Sequence, residues 1–202
     1  MGNYSFDVKA TSIKYGISAT KHFTFTIDNA LPTKLLDIDE SGVLIGFTSD
    51  FNKDDYENKG YDTIRVPKTI TGVASEAFDY RYDELAYPSY IKQIDFSGYD
   101  NLSYLGNSCF RWFASLANVD FSGCTNLSKN YVKGYNFENT SIETLDLSET
   151  GYTKFAAIQS EDGMMFNDFL YGMSKLKTLV LPGQLQTIST NLFTLNTLNQ
   201  II

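Results

Sequence analysis

The chain has 202 residues, 43% of them hydrophobic, 15% aromatic and 20% charged, which is enough apolar material for a substantial core and too much for a disordered tail. Sixteen Lys and Arg against 24 Asp and Glu give a net charge of −8, which excludes nucleic-acid backbones and anionic membrane surfaces as natural partners. A cation, a basic protein or a neutral glycan fits that charge.

From the N-terminus, Met1 to Gly16 contains no apolar signal-peptide stretch, so export of a parent protein implies a signal already removed. No segment approaches the roughly twenty apolar residues of a membrane span, and membrane insertion is not expected. His22 to Ile27 alternates Phe23, Phe25 and Ile27 with polar residues and predicts a strand. Leu36-Asp37-Ile38 and Val43-Leu44-Ile45 then flank Asp39-Glu40-Ser41-Gly42, the pattern of a hairpin. Asp37-x-Asp39-x-Ser41-Gly42 also matches the opening of a calcium loop, but Thr48 stands where the bidentate Glu belongs, so a hairpin turn is the expected use. Asn52 to Gly60, with Asp54, Asp55 and Glu57, reads as a solvated loop. Residues 1–60 are thus expected to form an N-terminal β cap with an acidic loop, covering the exposed core and strand edge at the start of a repeat array.

The array is expected over 61–202. Five segments share one apolar pattern, starting at Tyr61, Ile91, Leu116, Ile142 and Leu176, and a sixth begins at Leu198 and stops at Ile202, which predicts a longer parent. The second apolar positions, Ile64, Ile94, Val119, Leu145, Leu179 and Ile201, are 30, 25, 26, 34 and 22 residues apart. Within each segment the last two apolar residues are two apart, the period of a strand with one face buried, so Ile94 and Phe96 point inward. Further apolar positions follow: Ile70 and Val73, Leu102 and Leu105, Leu127 and Val132, Leu185 and Ile188. Phe78, Phe110, Phe137 and Phe193 close four units. Each unit offers a strand, a turn and a hydrophobic return, and cannot bury its face without a stacked neighbour. The extra length falls at Asp79 to Tyr90 and Gly151 to Met173, where a helix fits around Met164 to Met173.

The strand pattern, the run Ser122-Gly-Cys-Thr-Asn-Leu127 and closures such as Ser108-Cys109-Phe110 resemble leucine-rich repeats of the BspA-like branch. The third unit departs from that pattern, since Lys129 and Asn130 replace the usual apolar return. The resemblance implies a repeat solenoid, β-rich, with one short parallel strand per repeat and irregular loops. It further implies a bacterial surface or secreted protein that adheres to host proteins, matrix or other cells.

Outward strand positions form two columns, since parallel strands lie about 4.8 Å apart. One is Thr63, Gln93, Asn118, Thr144 and Thr178; the other is Arg65, Asp95, Asp120, Asp146 and Val180. Small polar side chains at fixed intervals suit a peptide or a glycan. Stacked Asp95, Asp120 and Asp146 repel one another unless offset, and three uses remain open: each caps its following turn at Ser97, Ser122 or Ser148, the column binds a cation, or two of the acids form a glycosidase pair. Tyr80, Tyr82, Tyr87 and Tyr90 lie in the longer loop and are candidate contacts, whereas Trp112 and Phe113, beside the closing Phe110, belong to the core.

Nucleophile chemistry has little support. His22 is the sole histidine and lies in the cap strand, and no phosphate loop, zinc signature or Gly-x-Ser-x-Gly elbow occurs, so no cofactor is expected. Cys109 and Cys124 sit at different points of the repeat and are expected to stay buried and unpaired. Asn3, Asn101, Asn126 and Asn139 head glycosylation sequons. The expectation is a non-enzymatic protein-binding module with no catalytic residue. Its contacts are Gln93, Asp95, Asn118, Asp120, Thr144 and Asp146 with the four loop tyrosines. A carbohydrate-binding or glycoside-cleaving solenoid built on the aspartates and an intracellular scaffold are the alternatives.

Overall fold

A computed structural model describes residues 2–27, 29–78, 90–128, 135–155, 158–159, 165–166, 170–188 and 197–202. They fall into two compact units, Met1–Ala30 and Leu31–Ile202.

The first unit is an antiparallel hairpin of β1 (Gly2–Thr11) and β2 (Ser18–Ile27), in register from Gly2 opposite Ile27 to Thr11 opposite Ser18. The strand expected at His22–Ile27 is therefore longer and has a partner that the reading above lacks, although Tyr4, Phe6 and Val8 alternate with polar residues in the same way. The pleat sets Phe6 beside Phe23, with ring centroids 5.3 Å apart, yet 52% and 38% of these residues stay exposed.

The second unit begins with the expected hairpin, β3 (Leu36–Ile38) and β4 (Val43–Phe47). Its turn is held by Asp39, whose Oδ1 accepts the Ser41 N–H and Val43 N–H at 2.9 Å and the Ser41 hydroxyl at 2.7 Å; this is hairpin chemistry, not a calcium loop. Asn52–Gly60 is not a plain loop. Lys53–Asn58 forms helix α1, because the Asn52 side chain caps the Asp54 and Asp55 N–H groups and those two acids favour a helix start. Phe51 and Tyr56 pack against the core from either side of that cap.

The coils follow. Strands β5 (Thr63–Arg65), β7 (Gln93–Asp95) and β9 (Asn118–Asp120) form one parallel sheet, and β10 (Thr144–Asp146), β14 (Thr178–Val180) and β16 (Gln200–Ile201) form another. The unit is thus a β-rich leucine-rich-repeat solenoid, with one parallel strand per coil on its main face. The return path adds a second, two-residue strand: β6 (Gly72–Val73), β8 (Tyr104–Leu105), β11 (Lys154–Phe155) and β15 (Thr187–Ile188). Hairpin strand β4 pairs with β6, and β6 with β8, all in parallel. A Cβ at Gly72 would overlap the Tyr104 ring, which would have to move aside.

The core runs through the coils. Ile64, Ile94 and Leu145 are fully buried from the strand side, while Phe78, Phe110 and Phe137 stack at 6.0 and 5.6 Å from the closing turns. Phe96 and Phe121 stack nearly parallel at 5.5 Å. Each such ring removed from water contributes roughly 1.5–3 kcal/mol. Phe193, Lys129, Asn130 and Val132 lie outside the described residues.

Two expectations about this core need correction. The described residues of 164–173 are not helical: β13 (Met165–Phe166) pairs antiparallel with β12 (Ile158–Gln159), and residues 170–172 form a turn, while 164 and 167–169 lie outside the described residues. Leu170 and Met173 are buried like Phe110 and Phe113, so this three-residue step belongs to the closing turn. Phe113 is fully buried as expected, but Trp112 is 39% exposed. Its φ is +69°, and the following two coils carry Asn139 (+58°) and Gly172 (+71°) at the same position after the closing residue. The left-handed backbone turns the indole away from the core that receives Phe113.

Candidate functional site

The strand face is assembled by backbone register. Thr63, Gln93 and Asn118 stand side by side, as do Arg65, Asp95 and Asp120; after β10 starts the second sheet, Thr144 aligns with Thr178 and Asp146 with Val180. These are the columns expected from the repeat, with one interruption. β9 ends the first sheet and β10 begins the second, so the ladder is broken between them.

That break opens the face. Outer residues of β5, β7 and β14 are half-buried, whereas Asn118, Thr144 and Asp146 at the break are exposed. Two adjoining hollows share Asn118, Val119 and Asp146; one is completed by Asp120, Ser122, Ser148 and Glu149, the other by Ser141, Glu143 and Thr144.

The aspartates are turn residues first. Ser97, Ser122 and Ser148 each donate the backbone N–H at 2.9 Å and the hydroxyl at 2.6–2.7 Å to Oδ1 of the Asp two residues earlier. Asp39 with Ser41 makes the same turn, so the motif recurs four times. Charge-assisted bonds of this kind lock the carboxylate in place and leave Oδ2 to other partners. In Asp95 that oxygen faces Arg65 Nε at 3.5 Å. Burial disfavours the Asp95 charge, but the Ser97 hydroxyl and N–H and the Arg65 guanidinium outweigh it and hold the carboxyl below its ordinary value. No comparable cation meets Asp120 or Asp146 among the described ion pairs. Among the described residues no group of three or more His, Cys, Asp or Glu is placed to hold a metal ion.

Two residues at the break escaped the sequence reading. Glu149 replaces the glycine of Asp95-Phe-Ser-Gly98 and Asp120-Phe-Ser-Gly123, and its Oε2 accepts the Gly123 N–H at 2.7 Å across the coils. The signal was a charged residue at the motif's glycine position, beside the milder change of Phe to Leu147. Glu143 pairs with Lys177 Nζ at 2.9 Å on the open surface, a contact worth at most about 1 kcal/mol.

Tyr80, Tyr82 and Tyr87 lie outside the described residues. Tyr90 is half-buried and packs against the core instead of standing clear of it. Cys109 and Cys124 are buried free thiols, and burial pushes Cys124 up to about 11, far from a reactive thiolate.

Comparison with known proteins agrees with this architecture. The BspA type leucine rich repeat region, in six copies, matches residues 49–157 and 87–202. Neither curated proteins nor solved structures returned a match. The stacked strands, closing turns and family match together place this chain among the BspA type leucine-rich-repeat proteins.

Proposed function

We propose that the chain is a non-enzymatic protein-binding module of a bacterial cell-surface or secreted adhesin, and that it grips its partner with the strand face around the β9–β10 break. The repeat family points to protein binding and is associated with bacterial surface proteins. No described helix is long and apolar enough to cross a membrane. The observation that carries the reading is the polar face itself: Gln93 is held beside Asn118 and Thr144 beside Thr178 at strand spacing on either side of the break, and Asp120 and Asp146 are pinned in one orientation by their serines. Preorganised side chains lose little entropy on binding, which favours a face used for recognition. With no ion pair to Asp120 or Asp146 among the described residues, the face suits an extended segment carrying Lys or Arg, in a host or matrix protein.

The glycosidase alternative is weaker. A general acid needs a raised carboxyl pKa, and the two described carboxyls that are shifted, Asp39 and Asp95, are both shifted down.

The test is site-specific photocrosslinking from Asn118 and Thr144 against surface and matrix proteins, followed by affinity measurement with the partner recovered. Asn118→Arg with Thr144→Arg is expected to weaken binding at least tenfold with the thermal midpoint unchanged. Binding that ignores both substitutions would remove the strand face as the contact surface.

A further inference from the structure

One side of the β1–β2 ribbon is apolar from end to end, and its sheet holds no third strand to cover it. Residues directly opposite across an antiparallel pair share a face. The register therefore runs the apolar side from Gly2 opposite Ile27 to Ala10 opposite Ala19, with Phe6 opposite Phe23 at the centre. The other side carries only polar residues, from Asn3 opposite Thr26 to Thr11 opposite Ser18. Among the described residues, six of the eleven exposed large apolar side chains lie between Phe6 and Phe23, with Ile13, Tyr15 and Ile17 at the turn. An isolated two-stranded ribbon is marginal in water, and so concentrated an apolar patch marks an interaction surface.

Three features select a second copy of the same ribbon as the occupant. The first is Lys21, the single charge on the apolar side, whose Nζ lies over the Phe23 ring at 5.4 Å. A charge on the lipid-facing side of a ribbon is costly, so this face does not suit a bilayer. The second is a taper. Away from the turn the face carries the bulky residue types Tyr4, Phe25 and Ile27, and beside the turn it carries Ala10 and Ala19. When a second ribbon is laid over the first with its strands reversed, the two Phe6/Phe23 rows meet at the centre. Tyr4 then falls on the copy's Val8, Ile27 on its Ala19 and Phe25 on its Lys21, where an aromatic ring attracts the ammonium. Bulk thus meets small residues and the lone charge meets a ring, which is the self-complementarity of an isologous interface. The third is area. Ten residues at a rise of about 3.3 Å in two strands about 4.8 Å apart make a face of roughly 33 by 10 Å. Two such faces together remove on the order of 1,000 Å² of accessible surface, the threshold for a specific interface.

We propose that β1–β2 is a self-association surface, through which two copies of the chain pair face to face, strands reversed, in a weak two-fold dimer. This surface is independent of the strand face of the coil unit.

Sedimentation equilibrium of the whole chain from about 1 to about 300 µM should show a reversible monomer–dimer transition with a dissociation constant of about 10–100 µM. Phe6→Ser with Phe23→Ser should weaken association at least tenfold while the thermal midpoint of the coil unit stays unchanged. Lys21→Glu, which sets a carboxylate against the copy's Phe25, should weaken it as much. Lys9→Glu makes the same charge change on the polar side and should leave association intact. Cys109 and Cys124 are buried, so a short bismaleimide should join Tyr4→Cys chains to Val8→Cys chains in a mixture and join neither variant to itself. A chain that stays monomeric throughout would overturn the proposal, and flotation of that monomer with phosphatidylglycerol vesicles would assign the ribbon to a lipid surface instead. Association weakened equally by Lys9→Glu and Lys21→Glu, or crosslinking of either cysteine variant to itself alone, would also overturn it. Asn118→Arg with Thr144→Arg should leave dimerisation unchanged, so loss of the proposed function and loss of the dimer are read separately.

Discussion

Two hairpins within the first fifty residues reach opposite ends. In β1–β2, strands of ten residues leave every described side chain exposed, including Phe6 and Val8. In β3–β4, strands of three and five residues bury Leu36 at 5% exposure and Leu44 at 0%. The difference lies in what continues the sheet. β4 is extended by β6 and β8, so its inward residues meet Val73 and Leu105, whereas a two-stranded ribbon has no third strand against which to close. An apolar strand residue is buried only where a further strand stacks on its sheet.

The strongest way to break that contrast is Leu44→Ala, which leaves a cavity beneath the first coil and should cost about 2–5 kcal/mol in denaturant unfolding of the Leu31–Ile202 unit. Adding a methyl at Gly72 attacks the same stack from the other side. Gly72→Ala must displace the Tyr104 ring and should cost about 1–3 kcal/mol by the same measurement.

Acid titration separates the hairpins by their turns. The Asp39 carboxyl is lowered by the Ser41 hydroxyl and the Val43 N–H, and Asp95 is lowered likewise by its serine and Arg65. A depressed carboxyl contributes stability that is fully present above its unfolded pKa and disappears as pH falls through the folded value. Unfolding midpoints of the coil unit should therefore hold from neutral pH to the ordinary carboxylate range and fall below it, with part of that fall removed by Asp39→Asn. The β1–β2 turn, held by Ser12, contains no carboxylate. The smallest effect is expected for Phe6→Ser, within about 0.5 kcal/mol for the coil unit. A larger loss would show that β1–β2 supports the array energetically.

Much of the coil was legible because each repeat restates it. The two columns, the inward pairs such as Ile94 and Phe96, and the aspartate turns at Ser97, Ser122 and Ser148 follow from period-two alternation and a recurring Asp-x-Ser. Local exceptions were harder to read. Helix α1 depends on a single Asn52 cap that acidic composition conceals. The helix expected around Met164 to Met173 gives way, in its described residues, to a two-residue strand and a closing turn that buries Leu170 and Met173. Trp112 was assigned inward by its neighbours, and only its backbone angle reverses it. The β9–β10 break has no counterpart in the strand residues, which keep the pattern through Thr144-Leu-Asp146.

The aspartate turns divide the labour between residues that build and residues that meet the outside. Each Asp and Ser closes its own turn within three positions, and each inward Ile, Leu or Phe answers to the neighbouring coils. Exposed positions such as Asn118 and Thr144 take little part in either task. A surface organised this way can be rewritten one rung at a time without renegotiating the scaffold, so a lineage carrying it can change what it recognises while inheriting the same architecture.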